Sequence, residues 1–225
     1  MSQRVEVLES IFNANDRLAS TNRKILDDEG VYSVNIMASP GAGKTSLIEL
    51  TISQLKNKFQ IAAIDGDIAT SLDADRALAA GAQAIQINTG GDCHLDAVMI
   101  NQALPKIHLN QVDLLIVENV GNLVCPASFQ LGTHSNILVA SIPEGDDKPY
   151  KYPGMYRGVD ALVINKIDLL PYVDFRMDYF RRGVEMLNPG VITFPLSCRN
   201  QEGILDWLGW LQSQIRNHQS EFRKA

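Results

Sequence analysis

Cysteine and histidine are scarce in this chain: 225 residues hold three of one and four of the other. A small, odd number of cysteines excludes a disulfide-built scaffold and fits a reducing compartment, the cytoplasm by default. Positive charge is also short. A net charge of −6 leaves no basic face of the kind that nucleic-acid or anionic-membrane binders need, so neither partner is expected. No apolar run approaches the roughly 18 residues of a spanning helix. The opening MSQRVEVLESIF scatters acids through its apolar positions and has no cleavable signal pattern. Internal repeats and low-complexity stretches are missing too. What remains is ordinary for a globular protein, 45% apolar and 20% charged, with enough chain to bury one core without metal or disulfide support.

Val5, Leu8, Ile11, Phe12 and Leu18 fall near helical spacing, which predicts one or two amphipathic helices at the N-terminus. After the turn signal DDEG, short apolar runs alternate with helical patterns. Strands are expected at 31–37, 61–64, 84–87, 114–117, 136–140, 161–164 and 191–194. Helical stretches are expected near 45–56, 95–104 and 174–187, and a last helix carries Ile204, Trp207, Leu208, Leu211 and Ile215 on one face. Short doubly buried strands separated by helices predict a three-layer α/β fold around a mostly parallel sheet. Residues 1–30 then form a helical segment packed on a core domain, 31–225. EGDDKPYKYPG, from Glu144, reads as an irregular loop with a functional role.

VNIMASPGAGKTSLIEL is a strand, a glycine-bearing turn and a helix start. Ser39 to Thr45 match the end of a phosphate-binding loop, where successive N–H groups and a helix N-terminus cradle phosphate oxygens. Ser39, Pro40, Gly41, Ala42 and Gly43 form the turn and Ser46 continues the helix. Lys44 would sit on the β- and γ-phosphates, and the Thr45 hydroxyl would bind Mg²⁺. Ala38 stands where the strict pattern has its first glycine; its methyl is tolerable at a negative φ.

ALVINKIDLL ends a predicted strand in Asn165-Lys166-Ile167-Asp168, the N-K-x-D arrangement of guanine-binding proteins. A carboxylate at Asp168 can accept from both N1–H and the exocyclic amine of guanine, a donor pair that adenine lacks. The Lys166 stem can lie along the ring and Asn165 can tie the loop together. PLSCRN, from Pro195, resembles the second guanine loop, with Ser197 and Cys198 in the backbone-contact position. GTP is therefore expected over ATP. In LLIVENVGN, Glu118 ends a buried strand where an acid can hold a Mg²⁺ water, and the N–H of Gly121 can reach a γ-phosphate. IDGDIATSLDADR adds Asp65, Asp67 and Asp73, with Asp67 at a strand end and Asp73 in a mobile segment preferred as metal acids. No glutamine follows Gly121 to orient water, and Arg76 and Arg157 are merely candidate arginine fingers, so slow intrinsic hydrolysis is expected.

TGGDCHLDA places Cys93 and His94 side by side before a predicted helix, whose N-terminus is expected to favour the thiolate that metals need. Cys125 lies four residues beyond Gly121, on the segment expected to move with the γ-phosphate. Two thiolates and an imidazole suit Ni²⁺ or Zn²⁺. A second subunit could complete the site across a two-fold axis. Metal binding and nucleotide binding would then be reciprocally coupled. Cys198 reads as structural, and His108, His134 and His218 as ordinary surface or core histidines.

With these pieces placed, nearly the whole chain resembles the HypB family, the GTPases of hydrogenase nickel incorporation. SPGAGKTSL, GDIATSLDADR, NTGGDCHLDA, ENVGNLVCP, PEGDDKPYKYP and NKIDLLP occur in family order. The resemblance implies a SIMIBI-class P-loop NTPase that dimerises with GTP, binds GTP or GDP with Mg²⁺, and helps deliver Ni²⁺ to the large-subunit precursor of [NiFe]-hydrogenase. It implies a HypA-type accessory protein as partner. It also gives Cys93, His94 and Cys125 the metal positions at the dimer interface. Lys148 is expected to reach a nucleotide, across the dimer. Some family members carry an N-terminal cysteine motif or a histidine-rich stretch. The first 92 residues here hold neither residue type, so nickel storage and a separate N-terminal site are not expected. The related urease accessory GTPase is a rival, but its Cys-Pro-His motif is not found. A metal carrier whose hydrolysis is incidental is a second, and an ATP-dependent small-molecule kinase, which has no use for NKID, a third.

Overall fold

The computed structural model describes residues 7–67 and 72–222, with side chains from Phe12 onward. Val5, and the side chains of Leu8 and Ile11, lie outside the described residues.

All seven expected strands form, within a few residues of their predicted ends. They are β1 (Tyr32–Ala38), β2 (Ile61–Asp67), β3 (Gln83–Asn88), β4 (Leu114–Glu118), β5 (Ser135–Ser141), β6 (Ala161–Asn165) and β7 (Ile192–Pro195). They make one sheet in the order β3-β2-β4-β1-β5-β6-β7. Each pairing is parallel, so the sheet is wholly rather than mostly parallel. Such strands need cover on both faces. The helices are α1 (Val7–Asp28), α2 (Lys44–Leu55), α3 (Leu72–Ala80), α4 (Ala97–Ala103), α5 (Lys148–Lys151), α6 (Pro153–Arg157), α7 (Met177–Leu187) and α8 (Ile204–Phe222). On one face, Leu47, Ile48 and Ile52 of α2 and Trp207, Leu211 and Ile215 of α8 meet Val34, Ile36, Ile116, Val139 and Val163. Trp207 Nε1 donates to Thr51 Oγ1 (2.9 Å), tying α8 to α2. The other face is shared: Leu26 and Ile100, from α1 and α4, pack on Ile64 and Val117. Beside them Met155, Phe180 and Val184, from α6 and α7, pack on Leu138 and Ile164.

Two stretches are more ordered than the sequence suggested. The expected mobile segment around Asp73 is helical from Leu72, because LDADRALAA is rich in good helix formers and puts Asp73 and Asp75 in the first turn, where the helix dipole favours acids. The stretch after Glu144 folds into α5 and α6, each with a proline in its first turn, a position where the missing N–H costs no helical bond.

The strand order places β1 between β4 and β5. The loops after β1, β4 and β6 and the last residues of β2 therefore lie together at the carboxyl edge of the sheet, where open α/β sheets bind their ligands. No helix among the described residues is long and apolar enough to cross a membrane.

Candidate nucleotide and metal site

The turn after β1 is held by two left-handed glycines, Gly41 (φ +80°) and Gly43 (φ +96°). A side chain at Gly43 would place a Cβ 2.3 Å from Asn165 Nδ2, so this turn needs glycine for its backbone angle and for close approach alike. Ala38 ends β1 as an ordinary strand residue, fully buried, and its methyl is accommodated. The Asn165 amide behaves as its spacing suggested. It donates to Ala42 O (3.0 Å) and accepts from the N–H groups of Lys166 (2.8 Å) and Cys198 (3.2 Å), knitting three loops together. Lys166 crosses the turn to donate to Gly41 O (2.6 Å). Ser39 donates to Glu144, which also accepts from Ser141 N and Oγ at the end of β5.

These loops enclose two adjoining compartments that share Gly43, Ser46 and Lys166. The larger, about 540 Å³, is lined by Ser39, Pro40, Gly41, Lys44 and Thr45 together with Asp65, Asp67, Asp73 and Gly121. The smaller, about 330 Å³, is lined by Asn165, Asp168, Ser197 and Cys198. Asp168 Oδ1 is buried without a hydrogen-bond partner. A buried acceptor left empty costs free energy until a ligand supplies donors, which suits a guanine edge. Ser197 is fully buried and its hydroxyl accepts from Arg199 N (3.2 Å). Burial pushes the Cys198 thiol up to about 11, so it is a neutral, structural group.

The acids converge below the phosphate turn. Glu118 Oε1 accepts from Lys44 Nζ (2.6 Å) and Thr45 Oγ1 (2.7 Å). Asp65, Asp73 and Glu118 each bring an oxygen within 4.8 Å of the others. Sequence reasoning favoured Asp67 and Asp73. Asp67 does line the compartment, but Asp65 completes the cluster because β2 pairs with β4 in a register that sets Asp65 beside Glu118. Burial, then the neighbouring Glu118 carboxylate, push the Asp65 carboxyl up to about 7, and its Oδ2 has no partner. Three acids around one unfilled oxygen fit a Mg²⁺ ion. Arg76 lines the same compartment but is held by both oxygens of Glu49 (2.8 and 2.6 Å) and by Asp73 (3.1 Å). Arg157, at the end of α6, and Lys148, whose Nζ lies 5.4 Å over the Tyr152 ring, line neither compartment of the single chain.

Cys93, His94 and Cys125 come together as expected, each offering a ligand atom within 4.8 Å of the others. The Cys93 and Cys125 sulfurs are 2.8 Å apart, and Cys93 Sγ is 3.8 Å from His94 Nδ1. All three cysteines of the chain are free thiols. The His94 ring stacks on Phe129 at 3.9 Å. Helix α4 does not ease ionisation of Cys93. The neighbouring Cys125 sulfur comes first in raising its pKa, and the Asp96 side chain already caps the helix by accepting from Met99 N (2.8 Å). The two thiols and the imidazole are close enough to share one cation.

The remaining histidine cluster is structural. His134 Nδ1 accepts from Ser33 N (2.9 Å), which leaves the proton on Nε2, facing Asp27 Oδ1 at 2.8 Å. A metal at that nitrogen needs the opposite tautomer.

Sequence reasoning missed Asn119 and Asn122. The first is fully buried and accepts from Leu95 N (3.1 Å), and the second donates to Cys93 O (3.3 Å). Their position between Glu118 and Cys125 in ENVGNLVC was the available signal.

The chain is similar to known proteins over most of its length. A family model described as CobW/HypB/UreG, nucleotide-binding domain, matches residues 33–195. The hydrogenase maturation factor HypB of Rhizobium leguminosarum bv. viciae is 44% identical over 208 residues, covering 92% of this chain and 70% of that protein. A probable hydrogenase maturation factor HypB of Methanocaldococcus jannaschii is 42% identical over 212 residues, covering 94% and 96%. The crystal structure of HypB from Helicobacter pylori in complex with nickel superposes with a TM-score of 0.86 at 38% identity, covering 91% of this chain and 96% of that one.

Proposed function

The chain belongs to the HypB family of hydrogenase maturation factors, and on that premise we propose that it is a GTP-hydrolysing metallochaperone that helps deliver nickel to [NiFe]-hydrogenase. One observation carries the reading. A single short segment runs from Glu118, bonded to Lys44 and Thr45 in the phosphate turn, to Cys125, 2.8 Å from the Cys93 sulfur.

The roles divide by compartment. Lys44 and the backbone from Ser39 to Ser46 hold phosphates, Asn165 and Lys166 brace the base loop, and Asp168 accepts from guanine. Thr45, Asp65, Asp73 and Glu118 hold Mg²⁺, with Asp67 available through water. A Mg²⁺ ion held there would supply positive charge to stabilise phosphoryl transfer. With Glu118 serving as a metal acid, Lys44, bonded to it here at 2.6 Å, would be free for phosphate. The Gly121 N–H faces the γ-phosphate, and loss of that contact on hydrolysis relaxes the segment carrying Cys125. With Arg76 spent on Glu49 and Asp73, intrinsic hydrolysis is slow. Single-turnover assays of the purified chain are expected to give well under about one turnover per second, and several per second without a partner would contradict this.

Cys93, His94 and Cys125 are the cargo ligands. Three ligands leave a four-coordinate ion one short, so a second copy, recruited with GTP, completes the site. The same set accepts Zn²⁺; the nickel bound to the Helicobacter pylori relative supports nickel as cargo. A HypA-type protein and the hydrogenase large-subunit precursor are the partners on either side of the transfer, in a reducing cytoplasm. Titration of Ni²⁺ into the apo, GDP-bound and GTP-analogue-bound protein tests the reading. Affinity is expected to change with nucleotide by about 5-fold or more and to collapse in Cys93→Ala and Cys125→Ala. Equal nickel binding by wild type and both variants would overturn it.

A further inference from the structure

The segment between the two sites bonds in both directions. Toward the phosphate turn, Asn119 N donates to Ile36 O (3.0 Å) and Asn122 N to Ala38 O (2.8 Å). Gly121 lies so close to Pro40 that an added Cβ would sit 3.2 Å from its ring and its nitrogen. Toward the metal ligands the bonds are made by side chains. Asn122 Nδ2 donates to Cys93 O (3.3 Å), and Asn119 Oδ1 accepts from Leu95 N (3.1 Å). The two residues flanking His94 are thus each gripped by one asparagine.

The direction of each amide is fixed by its other partners. Asn122 Oδ1 accepts from Val124 N (2.8 Å), so its Nδ2 must face the Cys93 carbonyl. Asn119 Oδ1 also accepts from Val120 N (3.0 Å), which turns its Nδ2 to Asn35 Oδ1 (3.1 Å) in β1. Asn35 in turn donates to Asn136 Oδ1 (2.9 Å) in β5. Asn119 is therefore rooted across three strands of the sheet and fully buried. Asn122 is half-buried and lies one residue beyond Gly121, which lines the larger compartment.

Resting on the nucleotide–metal coupling proposed above, we propose that Asn119 and Asn122 form a pivot and a lever that position Cys93 and His94. Asn119 pins Leu95 to the sheet, where it does not move. Asn122 moves with Gly121 when the phosphate turn changes its contact, and its amide draws the Cys93 carbonyl with it. The Cys-His pair turns about Leu95, so nucleotide state reaches all three ligands and not Cys125 alone. Asn122 is a positioning residue: its side chain touches neither nucleotide nor metal.

Asn122→Asp isolates the lever. The carboxylate keeps an acceptor for Val124 N but has no donor for Cys93 O. Nickel isotherms of the full chain with GDP and with a non-hydrolysable GTP analogue give the ratio of the two affinities. That ratio is expected to be about 5-fold or more in wild type and within about twofold of unity in Asn122→Asp and Asn122→Ala, with GTP-analogue affinity preserved. An unchanged ratio in both variants overturns the lever. A wild-type ratio of unity removes the coupling itself and the lever with it, while a nickel affinity indifferent to Cys125→Ala shows that the cargo site is misassigned. Amide hydrogen exchange in the wild type is independent of any variant's folding. Protection at Cys93 and His94 is expected to change between GDP and the analogue while Asn119 stays protected, and no change at Cys93 and His94 overturns the lever.

Discussion

At the scale of residues, burial decides what a polar side chain does. His134 and His218 pack edge to ring at 4.2 Å around Asp27, with Tyr32 and Arg23 beside them. Burial, against the pull of Asp27, lowers His134 to about 4, and burial lowers His218 as well. The sign follows from linkage. Between the ordinary histidine pKa of about 6.5 and about 4, the unfolded chain binds more protons than the folded one, so stability rises with pH in that window. For His134 it is fully present above about 6.5 and lost as pH falls toward 4, at up to about 1.4 kcal/mol per pH unit, and His218 acts in the same direction. Urea unfolding at pH 7.5 and 5.5 is expected to show the loss, with a shallower pH slope in His134→Gln. Equal slopes would contradict the assignment. None of this was legible in the sequence, where His134 and His218 stand 84 residues apart as ordinary histidines. Asn165 and Asp168 were legible, because their chemistry depends on local spacing after a strand, and the loops they brace lie where that spacing put them.

At the scale of elements, α1 is fixed by side-chain amides as well as by Leu26 in the core. Asn22 donates to Ala97 O (2.9 Å) and Leu131 O (3.1 Å), Asn15 donates to Gln130 O (2.9 Å), and Asn15 Oδ1 accepts from Ala97 N (2.9 Å). The helix therefore braces the start of α4, just past the Cys-His pair. Contact is closest at Gly132, where φ is +92° and a Cβ would lie 2.3 Å from Ala19 O. Gly132→Ala is expected to cost about 1–3 kcal/mol of stability, read by urea unfolding, with GTP affinity unchanged because α1 lines neither compartment. Unaltered stability would show that α1 is not seated this way. Strand positions were readable from apolar runs, since doubly buried strands leave a strong signal. Helix α3 was not, because its acids and alanines mimic a solvated loop when only the metal-binding pattern is sought. The choice of Asp65 over Asp67 depends on the pairing of β2 with β4, a long-range register that local spacing does not encode.

At the scale of the whole molecule, strand order does the assembly. Placing β4 between β1 and β2 brings Glu118, the phosphate turn and the β2 acids to one edge. The loop after β3 then lies against the loop after β4, which joins Cys93 to Cys125 although 32 residues separate them. The meeting of Cys93, His94 and Cys125 was legible because a Cys-His pair and a second cysteine just past Gly121 pointed to one another. The asparagine lever was not, because asparagines in loops usually serve only their own turns. Lys148 lines neither compartment in the single chain, so any contact it makes with nucleotide would need the second copy proposed above.

Whether the segment from Glu118 to Cys125 holds the ion separates a metallochaperone from a plain GTPase. X-ray absorption at the nickel edge, on protein loaded with Ni²⁺ and a GTP analogue, reads the ligand shell directly. The prediction is thiolate sulfur near about 2.3 Å together with imidazole, with fewer sulfur scatterers in Cys125→Ala. A shell of oxygen and nitrogen alone, identical in wild type and variant, would contradict it.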